Sequence, residues 1–319
     1  MNVTPSVTVL MPAYNAEKYI REAIESVLQQ TFANFELVIV NDGSTDDTLK
    51  VIGAFNDKRI RVISQPNMGV AQALNTGLRH SRGCYIARFD ADDICYPHRL
   101  EKQIDFLNAN PDYIMVGSSA DYVLENGDFL FHCSCIAHTH DEIADKLYFY
   151  CPFLHPTVMY RKEIICNAGG YPAEAHNFED YLLWTQIIKA GKLYNFNEPL
   201  IKYRLNSSSV TIDERWRSGR FREIKRTVIK RGSITSQEGH ELLIILKSQD
   251  IPRIKEGAYH ALCGKKFLGD NYQPEKARLH VKKSIGLQPF RWDNYLLYTA
   301  SFLPEKLILW FHKRSPNKL

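Results

Sequence analysis

The 319-residue chain reads as an α/β protein: a parallel sheet covered by helices, followed by a basic helical region. Two observations predict the sheet. Short apolar runs of strand type alternate with segments whose apolar residues recur at helical spacing. The runs also end in turns rich in Gly, Asn, Asp or Pro, as strands of a parallel sheet do before their crossover helices. A third observation sets the tail apart. Residues 1–214 carry a net charge of −9 and residues 215–319 a net +13, so the formal +4 of the whole chain hides two unlike segments.

Val7 to Met11 is a buried strand that Pro12-Ala13-Tyr14-Asn15 ends as a turn. Tyr19, Ile20, Ala23, Ile24, Val27 and Leu28 then mark one face of a helix. The strand Phe35 to Val40 runs into Asn41-Asp42-Gly43-Ser44-Thr45-Asp46-Asp47. There Ser44 or Thr45 is expected to cap a helix from about Asp46 to Phe55, with two acids in its first turn. Ile60 to Ile63 is a third strand, Pro66 to Gly69 a turn, and Val70 to His80 a helix. Cys84 to Arg88 then delivers the acidic stretch Phe89-Asp90-Ala91-Asp92-Asp93. Three carboxylates in four residues repel one another, so either a cation holds them or they form a solvated, helix-capping turn.

Beyond it, Pro97 opens a helix to about Asn108, Ile114 to Gly117 is a strand, and Asp121 to Phe131 a hairpin about an Asn-Gly turn. In an open α/β sheet the loops at the carboxyl ends of the strands line one crevice. Tyr14, Asp42, Gly69 and the Asp90–Asp92 pair should therefore converge. No Gly-x-Gly-x-x-Gly fingerprint or P-loop occurs, which speaks against a dinucleotide or an NTPase cradle. His132, Cys133, Cys135, His138 and His140 lack zinc-ligand spacing.

At 45% hydrophobic the chain has an ordinary globular composition. The first residues lack a basic n-region and a sufficient apolar run for a secretory signal, and seven cysteines without a regular framework fit a reducing compartment, so cytoplasmic residence is expected. No run of about 18 apolar residues occurs.

Val7 to Asn15, Val38-Ile39-Val40-Asn41-Asp42-Gly43-Ser44-Thr45-Asp46, Asn67-Met68-Gly69 and Asp90-Ala91-Asp92-Asp93, in this order and spacing, resemble a family 2 glycosyltransferase. The fold this implies is GT-A, a Rossmann-like nucleotide-binding sheet with helices on both faces, here with a C-terminal helical extension. The likeness runs from about residue 5 to about residue 210 and is of the bacterial surface-polysaccharide type. It implies that Pro12, Ala13, Tyr14, Asn15, Glu17, Asp42, Asn67, Gly69, Asp90, Ala91 and Arg204 meet a nucleotide-sugar. Tyr14 would lie beside the base and Asp42 would accept from a ring N–H. Asp92 would be the direct ligand of Mg²⁺ or Mn²⁺, with Asp90 at the metal, its water or the ribose.

Further along, the resemblance puts the catalytic base on Asp180 in Phe178-Glu179-Asp180-Tyr181-Leu182-Leu183-Trp184, with Glu179 at the acceptor or bracing the loop. His155 would lie near the donor phosphates or the acceptor, or else in the core. Trp184 either stacks on an acceptor sugar or packs in the core. Gly169-Gly170-Tyr171 looks like the flexible segment before the acid pair. Two places depart from the family: Gln186 stands where an Arg is common and Asn206 where a His is common.

The expected division is a catalytic domain of residues 1–212 and a basic helical region of 213–319. Arg215, Arg217, Arg220, Arg222, Lys225, Arg226, Lys230 and Arg231 crowd the start of the latter, and Ala258 to Leu268 with Pro274 to Ile285 form a helical hairpin. Near its end aromatic and aliphatic residues alternate with cations, from Trp292 to Arg314, as in short interfacial helices on an anionic membrane; packing on another protein face is the alternative. No pattern of a nucleic-acid reader accompanies the charge. The expected activity is metal-dependent, inverting transfer of a sugar from a UDP-linked or similar donor to a glycan, lipid-linked in the membrane reading. The competing classes are a nucleotidyltransferase and a non-catalytic scaffold that binds sugar nucleotides.

Overall fold

The computed structural model describes residues 4–207, 212, 217–249 and 251–314, with the backbone alone at 309 and 311–314. Asp213 and Arg215, and the side chains of Leu309, Phe311, Lys313 and Arg314, thus lie outside the described residues. The chain divides into two compact units: residues 1–120, 133–203 and 222–243, and residues 121–132, 204–221 and 244–319. Helix Gly219–Arg231, expected to belong to the basic region of 213–319, passes into the first unit at residue 222.

The first unit is built on β1 (Val7–Ala13), β2 (Phe35–Asp42), β3 (Ile60–Gln65) and β4 (Tyr85–Arg88). Their order is β3-β2-β1-β4, all parallel, with Val9 opposite Leu37 on one side and Ala87 on the other. β1 and β2 are almost wholly buried, which is why both read as continuous apolar runs. α1 (Ile20–Leu28) buries Ile20, Ala23, Ile24 and Val27; α3 (Val70–His80) buries Ala71, Ala73, Leu74 and Leu78. Gly77 lets α3 lie close to the sheet, since a Cβ there would fall 2.0 Å from Leu10 Cδ1.

The parallel expectation holds only for this half. Past β4 the sheet continues through β8 (Met159–Arg161), β6 (Tyr113–Val123), β9 (Lys192–Arg204) and β5 (Ile94–Cys95). β8 runs antiparallel to both β4 and β6, and β5 antiparallel to β9. No crossover helix is needed between antiparallel strands, so the alternation that signals parallel pairing is missing here. α2 (Thr48–Gly53) is shorter than expected, and α4 (Arg99–Ala109), α5 (His140–Lys146), α6 (Lys162–Asn167) and α7 (Glu179–Ile187) complete the numbered helices.

In the second unit β7 (Phe129–Cys133) pairs with β6 through a turn at Asn126–Gly127, where Gly127 takes φ +87°. Helices Pro252–Gly269 and Pro274–Leu287 form the expected hairpin: a Cβ on Gly264 would stand 2.5 Å from Val281 Cγ2, and Ser284 Oγ donates to Gly257 O at 2.7 Å. Helices Trp292–Ala300 and Glu305–Arg314 follow. Among the described residues no helix is long and apolar enough to cross a membrane. Phe290, Trp292, Leu296 and Phe302 are 92%, 80%, 71% and 64% exposed.

Candidate active site

β1 and β2 end side by side, and their loops are sewn together by side chains. Pro12 and Ala13 close β1, Tyr14 is exposed, and Asn15 takes a left-handed φ of 48°. Asn15 N donates to Ser44 Oγ at 3.0 Å, and its Oδ1 accepts from Thr45 N at 2.8 Å. Glu17 N donates to Asp46 Oδ2 at 3.1 Å, and Glu17 Oε2 accepts from Asp47 N at 2.7 Å. Asn15 and Glu17 therefore fix the two loops against each other. The expectation that Ser44 or Thr45 caps α2 is corrected: their side chains bond Asn15, and Asp46 Oδ1 accepts from Thr48 N at 3.0 Å instead.

Asp42 is buried at the end of β2 and organises the next loop. It accepts from Gln65 Nε2 at 2.7 Å, Met68 N at 2.9 Å and Gly69 N at 2.8 Å. A carboxylate has about four acceptor positions, so about one is left for a ligand. Gly69 stands at φ +86°, and Asn67 is exposed beside it; a Cβ on Gly43 would meet Asn67 N at 2.6 Å, so the two loops touch.

After β4 the carboxylates of Asp90, Asp92 and Asp93 converge, with one oxygen of each within 4.8 Å of the others. Ala91 is buried between them, Asp93 is buried, and Asp90 and Asp92 are half-buried. Buried Arg88 forms an ion pair with Asp90. Burial works against its charge, yet Asp90 beside it holds the guanidinium above its ordinary range. Arg99 Nη2 donates to Arg88 O at 2.7 Å and so anchors the end of the strand. Three hard oxygen donors at one point form a ligand set that suits Mg²⁺ or Mn²⁺.

A second acid cluster forms in the same unit from His155, Glu179 and Asp180, whose ligand atoms also lie within 4.8 Å of one another. His155 sits on the turn before β8, and the two acids open α7. His155 Nδ1 lies 3.9 Å from Asp180 Oδ2, while its Nε2 is 3.2 Å from Tyr171 Oη, which is 3.1 Å from Tyr160 Oη. Burial lowers the His155 pKa well below its usual value, and nearby Arg88 adds to this. Burial and the Asp180 charge push Glu179 up to about 7; burial also raises Asp180. An imidazole held below its usual pKa and an acid raised to about 7 thus stand beside the Asp180 carboxylate.

Trp184 is fully buried, with ring centroids of Phe153, His155, Tyr160 and Tyr171 about it at 6.0–6.4 Å. It packs in the core, and the stacking alternative is set aside. Gly170 takes φ +82°, and a Cβ there would meet Asn75 Oδ1 at 2.5 Å. Asn75 in turn holds Tyr171 by both backbone groups at 2.8 Å, so this double-glycine loop is pinned to α3. Gln186 Nε2 donates to Gly232 O at 3.0 Å, tying α7 to the helix that carries Lys225, whose ammonium lies 5.7 Å from the Tyr181 ring. Arg204 is buried and belongs to the second unit, where Nη1 donates to Leu124 O at 3.3 Å and Glu125 O at 2.8 Å; Asn206 is buried there too.

Sequence reasoning gave no individual role to Arg88, Asn75, Tyr160 or Tyr171. For Arg88 a signal existed, since a cation inside a buried apolar run needs a partner, and Asp90 stands two residues on.

Comparisons with known proteins agree with this architecture. Residues 8–165 match the family described as Glycosyl transferase family 2. An uncharacterized glycosyltransferase of Haemophilus influenzae is 35% identical over 231 residues, covering 66% of this chain and 69% of its own length. The O-antigen biosynthesis glycosyltransferase WbnJ of Escherichia coli is 32% identical over 215 residues, covering 66% and 83%. Among solved structures, S. aureus TarS 1-349 in complex with UDP-GlcNAc superposes with a TM-score of 0.54 at 18% identity, over 98% of this chain and 93% of that one. The mannosyltransferase PcManGT of Pyrobaculum calidifontis, in complex with GDP-Man and Mn²⁺, gives 0.52 at 19%, over 98% and 89%. The fold is therefore GT-A with added C-terminal helices, and the chain belongs to glycosyltransferase family 2.

Proposed function

We propose that the chain is an inverting hexosyl- or N-acetylhexosaminyl-transferase that moves a sugar from a nucleoside-diphosphate donor, UDP-linked in the favoured reading, to a hydroxyl of a growing glycan. The observation that carries this is the pair of acid clusters, Asp90–Asp92–Asp93 and His155–Glu179–Asp180, in one unit of the chain, with Arg88 on β4 paired to Asp90. Transfer with inversion needs a charge-holding site for the leaving diphosphate and a separate base for the attacking hydroxyl. The fold neighbours support a nucleotide-sugar donor, since TarS is in complex with UDP-GlcNAc and PcManGT with GDP-Man.

Tyr14 offers its exposed ring to the base, and the remaining acceptor position of Asp42 suits a ring N–H. Asn15 and Glu17 keep that wall rigid rather than spending their carbonyl and carboxylate on the donor. Asp92 and Asp90 would hold Mn²⁺ or Mg²⁺, which supplies neutralisation of the diphosphate as it leaves. Asp180 takes the proton of the attacking hydroxyl at a carboxylate oxygen. Glu179, raised to about 7 by burial, donates to an acceptor oxygen in its protonated form, and His155 stands 3.9 Å from Asp180 on the other side.

The O-antigen role in the name of the Escherichia coli relative supports a surface polysaccharide as the product. Phe290, Trp292, Leu296 and Phe302, exposed among cations, suit an anionic membrane surface and hence a lipid-linked acceptor. In that reading the enzyme is peripheral on the cytoplasmic face. Residues 1–212 would hold the catalytic work and 213–319 the membrane contact.

The test is binding and turnover across UDP-, GDP- and dTDP-sugars with Mn²⁺, Mg²⁺ or EDTA, the product anomer being assigned by NMR. A metal-dependent response to a UDP-sugar with an inverted anomeric centre is expected. Retention of configuration, or binding indifferent to EDTA, would overturn the reading. Products retaining the nucleoside monophosphate would point to a nucleotidyltransferase, and binding without turnover to a scaffold.

A further inference from the structure

The second unit contains a cavity of about 270 Å³ that the proposed reaction does not use. Leu124, Glu125, Asn126 and Ser207 line one part of it, and Glu256, Tyr259, His260, His280 and Lys283 on the helical hairpin line the rest. At its wall His260 Nδ1 and His280 Nδ1 face each other at 3.0 Å. His260 is buried on helix Pro252–Gly269 and His280 half-buried on helix Pro274–Leu287, with Tyr259 and Phe267 packed against the His280 ring.

We propose that this pair is a binding site for a borderline divalent transition ion of the Zn²⁺ or Cu²⁺ kind, distinct from the carboxylate site. Two imidazole nitrogens bound to one such ion at about 2.0–2.1 Å stand about 2.9 Å apart at right angles and about 3.4 Å apart at the tetrahedral angle. The observed 3.0 Å falls in that interval, so an ion enters once both rings turn their Nδ1 lone pairs toward it, and it displaces the shared proton. Both imidazoles then carry their proton on Nε2. Glu256 lies one turn before His260 on the same helix face, and Glu125 lines the same cavity, so carboxylate and water complete the coordination after side-chain rotation. Lys283, three residues after His280, opposes a cation. With neutral imidazoles, two carboxylates and one ammonium, the lining still carries a net −1. Imidazole nitrogen selects Zn²⁺ or Cu²⁺ here, while the oxygen-only Asp90–Asp92–Asp93 cluster suits Mg²⁺ and Mn²⁺.

The experiment uses the untagged full chain. Zn²⁺ is titrated calorimetrically in the presence of excess Mg²⁺, on wild type, Asp92→Asn, His260→Gln and His280→Asn. One equivalent of Zn²⁺ is expected on wild type and on Asp92→Asn, weakened about 100-fold or more in either His variant. Equal binding in the His variants, or loss in Asp92→Asn alone, would overturn the proposal. Should a His variant fail to fold, Cu²⁺ electron paramagnetic resonance on the wild type decides. Hyperfine coupling to two nitrogens is expected, and an oxygen-only spectrum would refute the site.

Discussion

The two acid clusters of the first unit are made of the same kinds of carboxylate and sit in opposite surroundings. Asp90 and Asp92 are half-open, and a buried guanidinium stands directly on Asp90. Glu179 and Asp180 have a neutral imidazole, two tyrosines and a buried tryptophan about them, and both are pushed up by burial. The first setting pairs one carboxylate with a fixed cation and is half-open to solvent. The second makes charge costly, raising both acids and bringing Glu179 to about 7. In the proposed reading it is environment, not residue identity, that separates the two roles.

The largest effect expected from breaking this contrast is at Asp180. Asp180→Asn should lower transfer about 10²–10⁴-fold, about 3–5 kcal/mol of barrier, measured by initial rates at saturating donor. Next comes Arg88→Met, which leaves Asp90 without its cation in a partly buried place. A loss of about 3 kcal/mol in urea denaturation is expected. A loss under 0.5 kcal/mol would show the pair to be peripheral.

Glu179→Gln sharpens the comparison through pH. The folded-state pKa of Glu179 is raised to about 7 from 4.5, so the folded state binds more protons between these values and stability falls as pH rises through them. Removing the charge should leave stability near wild type at pH 5 and add about 1–3 kcal/mol at pH 8. The opposite order would contradict the burial of that charge. The smallest effect belongs to Gly170→Ala, where the positive φ and Asn75 oppose a Cβ; about 1 kcal/mol of destabilisation is expected by thermal unfolding.

What was legible in the sequence is what local chemistry determines. β1, β2 and β4 are almost wholly buried runs whose ends carry the turn residues, and their parallel order follows from the helices between them. β5 and β8 have two and three residues, too few for any period, and they exist because β9, β4 and β6 offer partners. Asp42 could be named from its turn, but its three bonds to the following loop could not. Asp180 and Glu179 were visible as an acid pair at a helix start. Their raised pKa values come from burial, which only tertiary packing creates. His260 and His280 stand twenty residues apart and meet only because two helices fold back on each other.

The most direct measurement is calorimetric binding of a UDP-sugar, with Mn²⁺ present, to wild type, Asp92→Ala and Asp180→Asn. If charge-holding and proton-handling are divided as proposed, Asp180→Asn binds donor within about threefold of wild type while Asp92→Ala loses about 100-fold or more. Equal binding by Asp92→Ala, or comparable loss in Asp180→Asn, would contradict that division.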